Sequence, residues 1–473
     1  MPLNNTLPHR VMKVFLSGIA GTGMSSLAGL FSQKGHEVYG SDSQYYPPVD
    51  QILEKMKVRT FQGFDPANIP TDVDLCVIGN VISRGNPEAE FILNRGIKFD
   101  SMAAALHDHF IRGNRSIVVA GTHGKTTIAS LVAHLLGCAG LHPGFFIGGK
   151  PIDFSRNYEL GSGNYFVTEG DEYETSFFDR SSKFLKYYPD SLILTSLEYD
   201  HIDFFPSPEL YLKSFQNLVN QVPSEGIIIC NADFPMNMQA ITKSFTPVVT
   251  YGGHNGDYLI RSVKIEKGQY HFALKHGPRE LKFQSSIMGR HNIWNCCAAI
   301  LLGMHLDIPE KVIREAVQSF RGVERRMRVI RETGQTLFLE DFAHHPTSIE
   351  NLLKSLRESY PQKKIVALFE PRSWSLRRNI FQDRLSSSLA NADEICIKDV
   401  YQREKMPAEE TLNVEQLKRD LEKSGKTVRI FNDYDEIRDF LKGIDCTRDQ
   451  VIALISNGDF GGIPAYVKKL EFS

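Results

Sequence analysis

The chain has 473 residues, 42% hydrophobic and 23% charged, with a formal net charge of −2. At roughly 150 residues per domain that length predicts about three domains, and the near-neutral charge argues against a general nucleic-acid or anionic-membrane binder. The seven cysteines are scattered without a CxxC pair, "MPLNNTLPHRVMKVFLSG" lacks a signal-peptide core, and no apolar run reaches the length of a membrane span. The expectation is reduced core thiols in a cytoplasmic protein with no nucleic-acid or membrane partner.

Residues 13 to 110 alternate β-rich runs ("KVFLSG", "HEVYGSD", "DLCVIGN") with helical stretches, the rhythm of a parallel α/β sheet. In "LSGIAGTGMSSLAGLF" Gly18, Gly21 and Gly23 join a predicted strand to a helix. Their order is GxxGxG, not the dinucleotide GxGxxG, so NAD is weakly supported; a structural turn is the plainer alternative, and a pyrophosphate-bearing ligand fits better. Asp42 closes the second strand, where a ribose or base could be gripped.

A second unit starts near Arg115. "VVAGTHGKTTIASLVAHLL" reads as strand, loop and helix, with apolar spacing in Ile128, Leu131, Val132, Leu135 and Leu136. Gly124, Lys125 and Thr126 end a phosphate-loop pattern, but Val119 stands where its first glycine is expected. Such a loop points backbone N–H groups and a helix N-terminus at an anion, with Lys125 for terminal phosphates and Thr126 for Mg²⁺. Glu169 and His201 each follow a predicted strand and are candidate Mg²⁺ ligands, a reading that neighbouring Asp171 and Glu172 strengthen. Histidine is the less usual ligand, with helix capping or a buried polar role as its alternative. From 257 to 288 the pattern changes to hairpins. Asn292 and Asn295 in "GRHNIWNCCAAI" share a helix face suited to a base edge, or serve as a cap and an exposed amide.

After "GVERRMRVI" a third α/β pattern begins with "TLFLEDFAHHP" and "KKIVALFEPRS". Asp341, His344 and His345 follow the first of these strands. Arg372, Arg377 and Arg378 follow the second, where they can pair with carboxylates or simply face solvent.

Taken together, "GIAGTGMSSLA" with "GSD", "AGTHGKTT", "EGDE", "LEYDH", "GRHN..N", "GVERRM" and "DFAHHP" resemble, in family order and over nearly the whole chain, the Mur ligases, which form peptide bonds on cell-wall precursors. The resemblance implies three α/β domains: a Rossmann-like UDP-sugar domain over 1–110, a central P-loop ATPase-like domain over 111–326, and a Rossmann-like C-terminal domain over 327–473 that binds the amino substrate. It implies ATP and Mg²⁺ as cofactors. UDP-sugar binding falls to Gly21, Thr22, Gly23, Met24, Ser25, Ser41, Asp42 and Ser83. ATP binding falls to Gly121, Thr122, Gly124, Lys125, Thr126, Thr127, His291, Asn292, Asn295, Arg326 and Asp341. Metal binding falls to Thr126, Glu169 and His201; the catalytic set is Lys125, His123, Glu169, His201 and His344.

The loops of this family do without the first glycine, which makes Val119 ordinary. "HPGFFIGG", "SFFDRSSKF", "FEPRS" and "SNGDFGGI" resemble the branch that adds the tripeptide L-alanyl-γ-D-glutamyl-meso-diaminopimelate to UDP-N-acetylmuramate in peptidoglycan recycling. There Arg372, Ser373, Arg377 and Arg378 are expected to bind the peptide. The alternative is the L-alanine-adding branch, expected to carry a histidine–arginine pair where this chain has Arg372 and Ser373. No lysine lies around "YETSFF", so no carbamylated lysine is expected.

Overall fold

A computed structural model of the chain describes residues 10–45, 49–199, 204–266 and 268–471. Its compact units are two: Met1–Ile260 with Lys275–Pro278 and Cys297–Val317, and Arg261–Leu274 with Arg279–Cys296 and Gln318–Ser473. No helix of the described residues is long and apolar enough to cross a membrane.

Two large sheets and a two-stranded antiparallel hairpin, Glu174–Ser176 with Asp179–Ser182, lie among the described residues of the first unit. One is five-stranded and parallel, in the order Arg59–Gln62, Glu37–Asp42, Lys13–Ser17, Leu75–Ile78, Phe99–Ser101. The chain winds outward in both directions from Lys13–Ser17, so the order reverses between that strand and Leu75–Ile78. A crevice at the carboxyl ends of two such strands is where open α/β sheets take ligands. The glycine turn at 18–23 and the segment 79–86 both open there.

In the second sheet Arg115–Ala120 lies between Ser191–Leu194 and Tyr165–Gly170, paired in parallel with both. Ile227–Asn231 and Val248–Gly252 extend one side, and Gly144–Phe146 with antiparallel Tyr158–Glu159 extends the other. The loop 121–124, the end of Tyr165–Gly170 and the segment 195–198 thus emerge at one edge. The helix Lys125–Cys138 packs Ile128, Leu131, Val132, Leu135 and Leu136 with at most 1% exposure. Each contributes about 2 kcal/mol of burial, which holds the loop's distal end rigid.

The strands Tyr258–Glu266, Gln269–His276 and Arg279–Ser285 lie side by side, where hairpins were expected. The division between the units runs through them. The second unit is built on a six-stranded sheet ordered Arg328–Thr333, Thr336–Asp341, Gln450–Ile455, Lys364–Phe369, Glu394–Lys398, Thr427–Phe431. Only the first pair is antiparallel. The helix Pro346–Ser359 starts where His345 accepts the Thr347 N–H at 3.3 Å and proline takes the first helical position.

Candidate active site

Val119 is fully buried inside a central strand, its neighbours across the sheet being Glu169 and Ile193. A β-branched residue suits that position. The tight backbone begins only at Gly121, whose φ is +131° and whose added Cβ would lie 2.3 Å from the Thr195 hydroxyl oxygen. The segment 195–198 clamps the loop. Thr122 N–H donates to the Ser196 carbonyl at 2.5 Å, the Thr122 hydroxyl donates to the Glu198 carbonyl at 3.0 Å, and His123 N–H donates to the Ser196 hydroxyl at 3.1 Å. Gly124, left-handed at φ +82°, leads into the helix at Lys125, so free N–H groups and the positive helix end face the loop.

Two polar pairs stand at this edge. The Thr126 hydroxyl donates to Glu169 Oε2 at 2.8 Å, while Glu169 Oε1 accepts the Gly148 N–H at 2.6 Å. Lys125 Nζ lies 2.5 Å from Glu172 Oε2, whose side chain has no exposed surface. Burial works against the Lys125 ammonium, yet Glu172 and then Asp171 outweigh it and raise its pKa. Asp171 pairs with Lys183 at 2.7 Å; against the burial that would raise it, Lys183 and Lys125 hold its carboxyl down at about 2. Asp171 and Glu172, expected to strengthen a metal site, are each paired with a lysine. His123 Nε2 lies 2.7 Å from Glu198 Oε2, a partner the sequence did not single out. Thr127 is buried in the first helical turn. His201 lies outside the described residues.

In the first sheet Gly21 precedes the helix Thr22–Gln33, which contains Gly23 and buries Met24 and Ser25. The Ser25 hydroxyl donates to the Thr22 carbonyl at 3.1 Å. Asp42, expected to grip a ribose or base, holds the turn itself: Oδ2 accepts the Ala20 N–H at 2.9 Å and Oδ1 the Ser43 N–H at 2.8 Å. It still lines a cavity of about 500 Å³ together with Ser83, Arg84 and Asn86. Ser41 donates to Glu88 Oε2 at 2.6 Å, as does Ser17. Fully buried Glu88 also accepts the Asp65 N–H at 3.2 Å and the Asn68 amide at 3.1 Å. Sequence reasoning passed over Glu88, because "NPEAE" reads only as a helix start.

The remaining residues belong to the second unit. Asn295 donates to Asn292 at 2.7 Å and Asn292 to the Met288 carbonyl at 2.6 Å; both side chains are buried, so neither is the exposed amide of the plainer alternative. His291 begins their helix, with Nδ1 3.4 Å from the Ser355 hydroxyl. Arg326 lies over the Phe342 ring between Arg325 and Met327, both at positive φ, +62° and +48°. Strained backbone of this kind concentrates at functional and switch segments. Asp341 accepts the Met327 and Ala343 N–H groups at 2.7 Å each, and burial pushes its carboxyl up. His344 Nδ1 lies 3.1 Å from the Phe342 carbonyl.

Of the arginines expected to act as one cluster, Arg372 and Arg377 share Tyr401, whereas Arg378 has partners of its own. Arg372 lies 2.8 Å from Asp459, 3.7 Å from buried Glu370 and over the Tyr401 ring. Arg377 reaches the Tyr401 carbonyl at 3.4 Å, and Arg378 stacks on Trp374 at 3.9 Å with Glu410 at 3.2 Å. The Ser373 hydroxyl accepts the Leu376 N–H at 3.2 Å. All follow the strand Lys364–Phe369 or its neighbours at the carboxyl edge, as their sequence positions implied.

Three family profiles match the chain in succession: "Mur ligase family, catalytic domain" over residues 15–113, "Mur ligase middle domain" over 119–303, and "Mur ligase, glutamate ligase domain" over 325–458. The chain is 35% identical to the UDP-N-acetylmuramate–L-alanyl-γ-D-glutamyl-meso-2,6-diaminoheptandioate ligase of Escherichia coli K12, over 96% of each chain. A murein peptide ligase from Psychrobacter arcticus 273-4 is similar in structure, with a TM-score of 0.72 and 28% identity, covering 98% of this chain and 100% of the other. A UDP-N-acetylmuramate–alanine ligase from Thermotoga maritima gives a TM-score of 0.80 at 25% identity, covering 96% of this chain and 98% of the other. With three α/β domains in the expected order and a phosphate loop at the central sheet edge, the chain belongs to the Mur ligase family of ATP-dependent carbon–nitrogen ligases.

Proposed function

We propose that the chain joins L-alanyl-γ-D-glutamyl-meso-diaminopimelate to the lactyl carboxylate of UDP-N-acetylmuramate, using ATP and Mg²⁺, in the cytoplasm and in the re-use of wall peptide. Residues 1–110 bind the UDP-sugar, 111–326 the ATP and 327–473 the peptide. The observation that carries the chemistry is the Thr126–Glu169 pair beside Lys125 at the mouth of a phosphate loop. Similarity to the E. coli tripeptide ligase supports the choice of amine.

In the proposed reaction a lactyl carboxylate oxygen bonds to the γ-phosphorus as the bond to ADP breaks. The alanine nitrogen of the peptide then bonds to the acyl carbon, phosphate departs with the electrons of the C–O bond, and the nitrogen gives up a proton. Negative charge gathers on phosphoryl oxygens, so the protein's part is charge stabilisation and alignment. Lys125 meets the β- and γ-phosphates. Thr126 offers a hard oxygen donor suited to one Mg²⁺, and Glu169, 2.8 Å from it, would with His201 hold a second metal, an assignment made by motif. Bound Mg²⁺ supplies further charge neutralisation at phosphate oxygens. His123, its ring held by Glu198, orients phosphate; His344 is assigned to the amine, and Arg372, Ser373, Arg377 and Arg378 to the peptide carboxylates.

An ADP-release assay tests the reading. Turnover is expected to require both UDP-N-acetylmuramate and tripeptide, with L-alanine a poor substitute; equal or better use of L-alanine would reassign the chain to alanine addition.

A further inference from the structure

The end strand Tyr158–Glu159 of the second sheet, with Asn157 before it, lies along the helix Thr22–Gln33 that follows the glycine turn of the first sheet. Three successive residues meet it: Asn157 reaches Ser26, the Tyr158 ring lies against Gly29, and Glu159 Oε1 accepts the Gln33 amide at 3.0 Å. Positions 26, 29 and 33 are three and four apart, so they form one stripe along the helix. A Cβ on Gly29 would come within 2.2 Å of the Tyr158 ring, and glycine is what lets the strand lie this close.

Asn157 joins that stripe to the edge where Glu169 stands. One Nδ2 hydrogen goes to the Ser26 hydroxyl oxygen at 2.9 Å and the other to the Ile147 carbonyl at 2.7 Å, while the Asn157 carbonyl accepts the Ile147 N–H at 2.9 Å. Both backbone groups of Ile147 are thereby fixed, and the next N–H in the chain, that of Gly148, is the donor to Glu169 Oε1 at 2.6 Å. On the helix, the Ser26 hydroxyl gives its own hydrogen to the Thr22 carbonyl at 2.8 Å, in the turn assigned to the UDP-sugar. An unbroken run of hydrogen bonds and peptide groups therefore leads from the glycine turn through Ser26, Asn157, Ile147 and Gly148 to the carboxylate that accepts from Thr126. The Tyr158 ring and the Gln33 amide already fasten the strand to the helix; what Asn157 adds is the direction of one N–H aimed at Glu169.

We infer that Asn157 is a positioning residue for the proposed reaction: it sets the peptide that orients Glu169 from the helix that carries the sugar nucleotide, and so couples the two sites. Ordering of the glycine turn by a bound pyrophosphate lowers the cost of ordering the carboxylate around Mg²⁺, and the effect is reciprocal. This link rests on the UDP-N-acetylmuramate and Mg²⁺ assignments above and adds how one site answers the other.

The test is calorimetric titration of the full chain with UDP-N-acetylmuramate, alone, with a non-hydrolysable ATP analogue in EDTA, and with that analogue and Mg²⁺, alongside melting temperatures. In wild type the Mg²⁺ complex is expected to raise UDP-N-acetylmuramate affinity about fivefold or more, and the analogue in EDTA to leave it unchanged. In Asn157→Ala that gain is expected to vanish, with affinity in the absence of nucleotide within about twofold of wild type. Ser26→Ala cuts the run at its other joint and favours the helix, so it provides a variant with little folding risk and the same expected loss of the gain. The double variant is expected to lose no more than either single one, as for two residues of one link. A merely structural Asn157 would lower the melting temperature and leave the gain in place, and a gain that survives in both variants would overturn the link. So would a wild-type gain that the analogue gives equally in EDTA, or wild-type affinity that ignores nucleotide, with the proposed function left standing. Wild type that binds no UDP-N-acetylmuramate at all would overturn the proposed function and the link with it.

Discussion

Lys125 and Glu172 form an ion pair of 2.5 Å at the phosphate loop, the carboxylate fully buried and the lysine side chain 16% exposed. The lysine that the proposed chemistry sends to the phosphates is thus already held and charged by the protein, and two of its three N–H groups are left to meet other acceptors.

The first prediction separates the two roles of Lys125. Lys125→Ala is expected to reduce turnover to background and to remove the ion-pair partner of a buried carboxylate, which costs about 3–5 kcal/mol. A lowered melting temperature would report that loss. Adding Glu172→Gln is expected to recover much of the stability and none of the activity. UDP-N-acetylmuramate affinity, read by calorimetry, is expected to stay unchanged in the double variant, because the sugar-nucleotide residues lie on the other sheet of the unit. A double variant as unstable as the single one would show that the ion pair does not hold the loop.

Glu169→Gln addresses the metal. An amide oxygen can still accept one hydrogen bond, from Gly148 or Thr126, but the site loses a full negative charge. The half-saturating Mg²⁺ concentration in the ADP-release assay is expected to rise about tenfold, with nucleotide affinity in the absence of Mg²⁺ little changed. An unaltered Mg²⁺ titration at full activity would make Glu169 a structural brace for Gly148.

Motif order was enough to read the three α/β domains and the lysine, threonine and glutamate at the phosphate loop, because strand–loop–helix punctuation and charge at strand ends are local signals. Partner choice was not local. Nothing in "EGDE" distinguishes a carboxylate that accepts from Thr126 from one that neutralises Lys125. The three arginines after Lys364–Phe369 are close in sequence, yet the partners that hold them, Asp459, Tyr401 and Glu410, come from distant segments, and only Tyr401 is shared by two of them. Glu88 is 71 residues from the Ser17 hydroxyl it accepts, and no periodicity marks such a contact.

Glu88 supports a third prediction. Its carboxylate accepts from four donors and gathers Ser17, Ser41, Asp65 and Asn68 beneath the glycine turn. Glu88→Gln turns one acceptor oxygen into an NH₂ group facing donors, at a cost of roughly 1–3 kcal/mol. The melting temperature is expected to fall, and the KM for UDP-N-acetylmuramate to rise at least severalfold while the KM for ATP holds. Equal changes in both would mean that Glu88 serves the fold in general and not the sugar-nucleotide turn.

The last prediction concerns the amine substrate. Arg372 lies between Asp459 and buried Glu370 and over the face of Tyr401, with Gly458 so close that a Cβ there would meet the guanidinium at 2.1 Å. The planar group is therefore wedged edge and face, and its remaining N–H groups have a fixed direction suited to a carboxylate. Free alanine has one carboxylate beside its reacting amine, whereas the tripeptide carries others far from it. Arg372→Ala would confound binding with the loss of a counter-ion beside buried Glu370, so Arg372→Lys is the cleaner change: it keeps the charge and removes the fork. Its melting temperature is expected to stay within a few degrees of wild type. Its KM for tripeptide is expected to rise about tenfold or more, equivalent to roughly 1.4 kcal/mol of lost recognition, with the KM for ATP unchanged. An unchanged tripeptide KM in this variant would place the peptide's carboxylates elsewhere, with Arg378 on Trp374 the next side chain to replace.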